Sequence, residues 1–488
     1  MILHRFAAAL ALAAVLAGTL SGCTVNPATG QRSFTGLVST DEEIRTGRQE
    51  HPQILRTFGG EYGSPALRGY VNSVGQLLAR TVERRELTYT FTILNSDIVN
   101  AFAMPGGYVY ITRGLLALAA NEAELAAVLG HELGHINARH HAQRESQTLI
   151  ANLLIAALGA YAGQSAGQLG SVLGQTALMS FSREEESEAD SLGIRYMARV
   201  GYDPQAMVSF LAKLRDEARF EARLHGQPAD TVDQFNFLAS HPAPIERVQK
   251  TSAEAAAVRV KDPMLAQDVY YAHIDGMVYG DDAEQGFVRG RSFLHTRLGF
   301  RFDVPPGFRL FNTDQQVVAT GPNGAQILFD RAPRPADGPM TSYLTNVWAR
   351  GARLSGIQAI GINGLDAATA AASVNTSKGV RDARLVAIRM DLQHIYRFMF
   401  LTAPADTGRL AVEFRRTTYS FRRLSAAEAA SVKPMRIKVV RVGPGDTVAS
   451  LAARMPFDEL REERLRMLNG LAPGQPVAPG QMIKLVAE

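Results

Sequence analysis

Only one cysteine, Cys23, occurs in the 488 residues, so no disulfide can close within the chain. An excess of one charge is equally lacking. The 51 Lys and Arg against 47 Asp and Glu leave +4 at pH 7, too little over this length to argue for a nucleic-acid partner. Long apolar runs are missing as well: beyond the N-terminus the longest, inside LIANLLIAALGAYAGQSAGQLGSVLGQTALM (149–179), is about fifteen residues. As helix it spans roughly 22 Å, short of a ~30 Å hydrocarbon core, and reads as helical cover near a site rather than a membrane span. What remains, 46% hydrophobic and 20% charged, is the balance of an ordinary folded protein, and the length suggests two to four domains.

The lone cysteine has a setting. MILHRF gives a positive start, AAALALAAVLAGTL an apolar run too short to span a bilayer, and Leu20-Ser21-Gly22-Cys23 a small-residue cleavage site. The arrangement resembles a bacterial lipoprotein signal peptide, which implies removal of residues 1–22 and lipidation of Cys23. Thr24 in place of Asp after it implies the periplasmic side of the outer membrane. Residues 23–45, rich in Asn, Pro, Gly, Ser and Thr, read as a tether.

Residues 131–141, HELGHINARHH, hold four of the eleven histidines. Asn121 with Glu124 forms an N-terminal capping pair, and Leu125, Val128, Leu129 and Leu133 supply a helical stripe, so His131 and His135 project from one face. In H-E-x-x-H the two imidazoles hold a zinc ion and Glu132 lies beside the position where a water is activated and gives up its proton. The motif supplies only two protein ligands. His141 stands where a metzincin has its third, but that pattern needs glycine at Ala138 for the chain to leave the helix. With alanine the helix should continue, turning His141 about 120° away from His135, so that it and His140 become helix-end residues set against the dipole. The other candidate is FSREEESEADSLG (181–193), where Glu186 and Asp190 lie four apart on a helix; one could bind zinc while the other holds a ligand histidine by its free N–H. A solvated acidic face would look the same. From the residues alone the choice stays open.

Five stretches in order, NAFAMPGGYVYITRGLL, NEAELAAVLGHELGH, SREEESEADSLG, GYDP and SHPAPIER, resemble the zinc metallopeptidases of the HtpX and CAAX-prenyl-protease group, and above all their soluble periplasmic branch. The resemblance runs from about Asn26 to Arg247. It implies a gluzincin: one Zn2+ per chain held by His131, His135 and Glu186, with Glu132 as general base and Asp190 supporting a ligand histidine. It also implies that His241 can reach the zinc and take the water's place, or else stabilise the transition state, with Arg247 positioning that loop or the substrate. YVYIT (108–112) would be the edge that pairs with an extended substrate, and Asn100, Ala101, Phe102 and Ala103 would line the cleft.

Beyond this region, 286–430 alternates as strands (FRFDVPPGF, QQVVATGPNGAQILFD, LVAIRM, HIYRFMFLTA, LAVEFRRTTYSF), with one helix at YLTNVWARGARL. It faintly resembles the Mog1/PsbP-like fold. From RIKVVRVGPGDTVASLAARM to APGQMIKLV the order strand, helix, helix, strand resembles a LysM module, which implies peptidoglycan binding; arginines around 454–466 depart from that pattern. The expected architecture is thus multidomain: a mainly α, zincin-type (α+β) metallopeptidase domain at 46–265, a linker at 266–285, an α+β domain at 286–430 and a βααβ LysM-like domain at 431–488. The function implied is an envelope endopeptidase acting on misfolded or stalled outer-membrane proteins, possible partners including the outer-membrane assembly machinery. The rival readings are a chaperone or scaffold with a latent site, and a peptidoglycan-associated factor.

Overall fold

The computed structural model describes residues 23–149, 181–224, 236–313, 316–376 and 379–488. It divides into two compact units, one of residues up to Tyr279 together with Arg436–Ala487, the other Gly280–Met435. No helix among the described residues is long and apolar enough to cross a membrane. The stretch expected as helical cover, 146–180, lies mostly outside the described residues, as do residues 1–22.

In the first unit, α1 (Pro65–Ala79) starts where the Ser64 side chain accepts from the Leu67 amide, and it buries Leu67, Val71, Val74 and Leu78 at helical spacing. It lies against a three-stranded sheet of β1 (Thr90–Leu94), β2 (Ala101–Met104) and β3 (Tyr108–Thr112), ordered β1-β3-β2. β1 runs parallel to β3, and β2 returns to β3 through the Pro105–Gly107 turn. The turn needs glycine, because Gly107 has φ +97° and a Cβ there would lie 2.5 Å from the Thr88 carbonyl oxygen. This order corrects one expectation: YVYIT is the central strand, and Ala101–Met104 is an outer one. The AFAM stretch was too short and too near the turn to read as a strand.

After the short α2 (Arg113–Leu118) comes α3 (Glu122–Asn137), capped as expected by Asn121, whose side chain accepts from the Glu124 amide at 2.8 Å. The Glu124 carboxylate accepts from the amide of Ala120, one residue before the cap, at 2.7 Å. α3 is buried on all sides, and α4 (Arg183–Arg199) lies along it. Glycines set their closeness: a Cβ on Gly134 would stand 2.9 Å from Ala189 O, and one on Gly193 3.0 Å from His131 N. Next come α5 (Gln205–Leu224) and α6 (Ile245–Ala257).

Contrary to expectation, α3 does not run on through Ala138 to His141. It ends at Asn137, Arg139 takes a left-handed φ of +58°, and residues 140–149 form a new helix. Tertiary bonds override alanine's helical preference: Arg84 Nη1 donates to Ile136 O at 3.2 Å, Asn26 Nδ2 to Ala138 O at 3.2 Å, and Arg139 Nη2 to Val38 O at 2.5 Å.

The second unit carries a seven-stranded antiparallel sheet of β4 (Arg309–Asn312), β5 (Val317–Thr320), β6 (Gln326–Arg331), β7 (Ser355–Ile362), β8 (Leu365–Thr376), β9 (Gly379–Arg389) and β10 (Ile395–Thr402), ordered β4-β5-β6-β10-β9-β8-β7. Its core is aromatic, built around Phe300, Phe302, Phe329, Phe398 and Phe421. LAVEFRRTTYSF, read as a strand, is instead part of helix α7 (Pro404–Ser420): Pro404 opens it, and Leu410, Phe414, Thr417 and Thr418 are buried at a helical period. The helix expected at YLTNVWARGARL shrinks to Met340–Tyr343 followed by a π turn at Leu344–Trp348.

The chain then returns to the first unit as β11 (Met435–Arg441), α8 (Val448–Ala452), α9 (Arg461–Asn469) and β12 (Met482–Ala487), with β11 and β12 antiparallel. Val278–Tyr279 is the third strand of their sheet. The pattern alone suggests a separate third unit, but Lys484 Nζ, fully buried, donates to the carbonyls of Ala117, Leu118 and Ala119 at 2.6, 3.1 and 2.6 Å. An ammonium on the last carbonyls of α2 satisfies groups that a helix end leaves open, and ties this segment to the first unit.

Candidate metal centre

Because α3 and α4 touch along their glycines, the ring edges of His131 and His135 meet the carboxylate of Glu186. His131 Nε2 and His135 Nε2 are 3.0 Å apart, and Glu186 Oε1 and Oε2 lie 3.4 Å from His135 Nε2 and 3.6 Å from His131 Nε2 respectively. His241, on the loop between Asn236–Ser240 and α6, closes the group with Nδ1 2.8 Å from Glu186 Oε1 and 3.3 Å from His131 Nε2. All four residues are buried, and one ligand atom from each lies within 4.8 Å of the others.

The outer contacts fix the tautomers. His131 Nδ1 faces Asp190 Oδ1 at 2.9 Å, and a carboxylate only accepts, so the proton of a neutral His131 sits on Nδ1 and Nε2 is bare. His135 Nδ1 meets His140 Nδ1 at 2.8 Å, while His140 Nε2 reaches Glu188 Oε2 at 2.9 Å. Glu188 accepts a hydrogen bond from His140 Nε2–H, the bare His140 Nδ1 then accepts from His135 Nδ1–H, and His135 Nε2 is left bare too. Two ring lone pairs 3.0 Å apart beside a carboxylate form an electron-rich, buried pocket. Such a donor set of nitrogen and carboxylate oxygen fits a zinc ion.

His140, expected as a helix-end group, instead meets the ring of His135. The break at Arg139 swings it back under His135, where it holds the ring by its free N–H. We expect His140→Ala to weaken zinc affinity by roughly 10–100-fold, measured by competition with a chelator, with far-ultraviolet circular dichroism unchanged. His141 stays outside the ligand group, edge-on to Phe181 with ring centroids 5.3 Å apart, and burial pushes its pKa down to about 3.

Comparison with known proteins then bears on this arrangement. Residues 65–255 match the sequence model of peptidase family M48. That stretch is similar to the family's peptidases. It is 30% identical over 251 residues to the beta-barrel assembly-enhancing protease of Escherichia coli K12, covering 49% of each chain. To the protein of that name in Yersinia pestis it is 32% identical over 262 residues, 51% of each. To the mitochondrial metalloendopeptidase OMA1 of Schizosaccharomyces pombe it is 29% identical over 239 residues, 48% of this chain and 67% of the other. The chain thus spans about half the length of the first two relatives. Among solved structures, cyanobacterial PsbP from Synechocystis sp. PCC 6803 covers 28% of this chain and 98% of its own at 17% identity, with a TM-score of 0.23.

Within residues 65–255 the charges of the site are balanced by burial and by partners. Burial alone would raise the Glu186 pKa, but His241 and Arg247, with hydrogen bonds from His135 and His241, outweigh it and hold the carboxyl well below its ordinary value. Asp190 is held down in the same way, chiefly by Arg247, whose Nε and Nη2 donate to its two oxygens at 2.7 Å each. The same guanidinium donates to Pro242 O at 2.9 Å and His241 O at 3.3 Å and ion-pairs with Glu186, so it links the support of His131 to the His241 loop. Burial lowers the His135 pKa and raises that of Glu132.

Glu132 is fully buried, and neither of its oxygens has a hydrogen-bond partner among the described residues. Across the site His241 Nε2 lies 3.7 Å from Oε1. The Ala103 backbone faces Glu132 as well, which brings the outer strand β2 to the site; Ala101 and Ala103 are buried, while Asn100 and Phe102 are half-buried. Cys23 lies in the short strand Cys23–Val25, paired with Arg32–Phe34.

Proposed function

We propose that the chain is a zinc-dependent endopeptidase of the cell envelope, with one zinc per chain held by His131, His135 and Glu186. One observation carries the reading: Glu132, buried and unpaired, sits beside a closed group of nitrogen and carboxylate donors. His131, His135 and Glu186 would hold the zinc ion, which when bound would supply Lewis-acid polarisation of a peptide carbonyl and of an attacking water. Glu132 accepts the proton of that water and delivers it to the leaving amine, and its raised pKa suits a group that must both take and release a proton. Asp190 and His140 keep the two imidazoles turned towards the ligand group.

The outer edge of β2 offers backbone amides and carbonyls to an extended chain next to Glu132, a mode that reads backbone more than side chains and so favours unfolded substrates. Misfolded or stalled outer-membrane proteins are the substrate class this suggests, and two bacterial relatives carry the name beta-barrel assembly-enhancing protease. Lipidation at Cys23, the outer-membrane address, contact with the assembly machinery and peptidoglycan binding through 436–487 belong to the same proposal, and rest on the sequence pattern alone.

His241 supports a latent form of the site. Its Nδ1 is within the ligand group and its Nε2 points at Glu132, so the ring occupies the space between the base and the other donors where a water would have to stand. The purified chain should carry zinc and cleave an unfolded protein such as casein slowly, and His241→Ala should raise that rate with zinc content unchanged. A lower rate in His241→Ala would assign the ring to transition-state stabilisation. Zinc bound but no cleavage in either protein would favour the chaperone reading.

A further inference from the structure

A second cavity, of about 920 Å³, lies in the other unit, between the sheet and α7. Pairing across the sheet places Ser355, Ala371, Arg384 and Phe400 in one row on one face. α7 covers the β9 and β10 end of that face with Phe414, and it is pinned there by Thr407, whose hydroxyl donates to Asp382 Oδ2 at 2.7 Å and bonds Thr402 at 2.8 Å. Where the helix stops covering the sheet, the floor is formed by the small side chains of β8, Ala371 and Ser373. The groove is therefore open beside an apolar wall of Phe400, Phe414 and Val386.

Its charge is one-sided. Arg353, Arg384 and Arg415, from the approach to β7, from β9 and from α7, all line the groove, and none has a hydrogen bond or ion pair among the described residues. The one acidic group in the lining, Asp382, is already engaged by Thr407. Three guanidinium groups gathered around one groove repel each other unless an anion joins them, and arginine forks suit carboxylate or phosphate oxygens. The volume falls within the range of small-molecule sites, and the aromatic wall beside the arginines suits a ligand with an apolar part.

We propose that this groove binds an anionic amphiphile, a phosphate-bearing molecule with an acyl or similar apolar portion, its phosphate on Arg353, Arg384 and Arg415 and its apolar part against Phe400 and Phe414. The site is independent of the metal centre. Isothermal titration of the full chain with dihexanoyl phosphatidic acid, inorganic phosphate and dihexanoyl phosphatidylcholine tests it. The expected result is one site for the phosphatidic acid, with binding at least tenfold weaker for the zwitterionic lipid and for inorganic phosphate. In Arg384→Ala and Arg415→Gln binding should fall at least tenfold while casein cleavage and the thermal midpoint stay as in wild type. Inorganic phosphate binding as tightly as the lipid would overturn the apolar half of the proposal. Failure of the phosphatidic acid to bind, or equal binding in both variants, would overturn it entirely.

Discussion

Glu132→Gln keeps its fold and its zinc and loses cleavage by a factor of about 10²–10⁴, the usual loss on removing a general base. The amide has the shape of the carboxylate and can still meet the groups that face Glu132, the Ala103 backbone and His241 Nε2 at 3.7 Å from Oε1. Exchanging a buried carboxylate for a neutral amide of the same shape should leave the thermal midpoint nearly unchanged. Zinc by atomic absorption, the thermal midpoint and casein cleavage, measured on one preparation, separate loss of chemistry from loss of fold. Cleavage within tenfold of wild type would remove Glu132 from its role.

The largest effect on the metal is expected from Glu186→Ala. It deletes the one carboxylate that meets both Nε2 atoms, while Asp190 still holds His131 and Arg247 keeps its bonds to Asp190. The imidazoles therefore stay in place with a ligand missing, and zinc affinity should fall by more than the roughly 100-fold typical of losing a supporting contact. His141→Ala is the matched control, because that ring lies outside the ligand group although it is close by in sequence. Retained zinc in Glu186→Ala together with lost zinc in His141→Ala would reverse the assignment.

The residues that bear on the metal divide by how far their signal travels along the chain. His131 and His135 are legible because four residues make one turn of a capped helix, and Glu186 and Asp190 share that spacing on α4. Their meeting depends on Gly130, Gly134 and Gly193 letting two helices touch, which no local pattern announces. His140 was illegible for a related reason. Its approach to His135 needs the break at Arg139, and that break is imposed by Arg84 and Asn26 from far along the chain.

The edge strand and α7 failed differently. Ala101–Met104 is only four residues long, so its alternation is too brief to identify it, and sheet order cannot be read from one strand. In α7 the β-branched and aromatic residues suggested a strand, while the period of Leu410, Phe414 and Thr418 and the opening Pro404 favoured a helix, and burial of that stripe decided it. The segment 436–487 showed its element order plainly, but its place in the first unit rests on contacts such as Lys484 with α2, more than 360 residues away.

The most direct test of the metal centre is X-ray absorption at the zinc edge on the purified chain, wild type beside His241→Ala. The account predicts a shell of imidazole nitrogens with a carboxylate oxygen and no sulfur, one imidazole fewer in the variant, and zinc retained in both. A shell of oxygen ligands alone, or a chain that holds no zinc after loading, would contradict it.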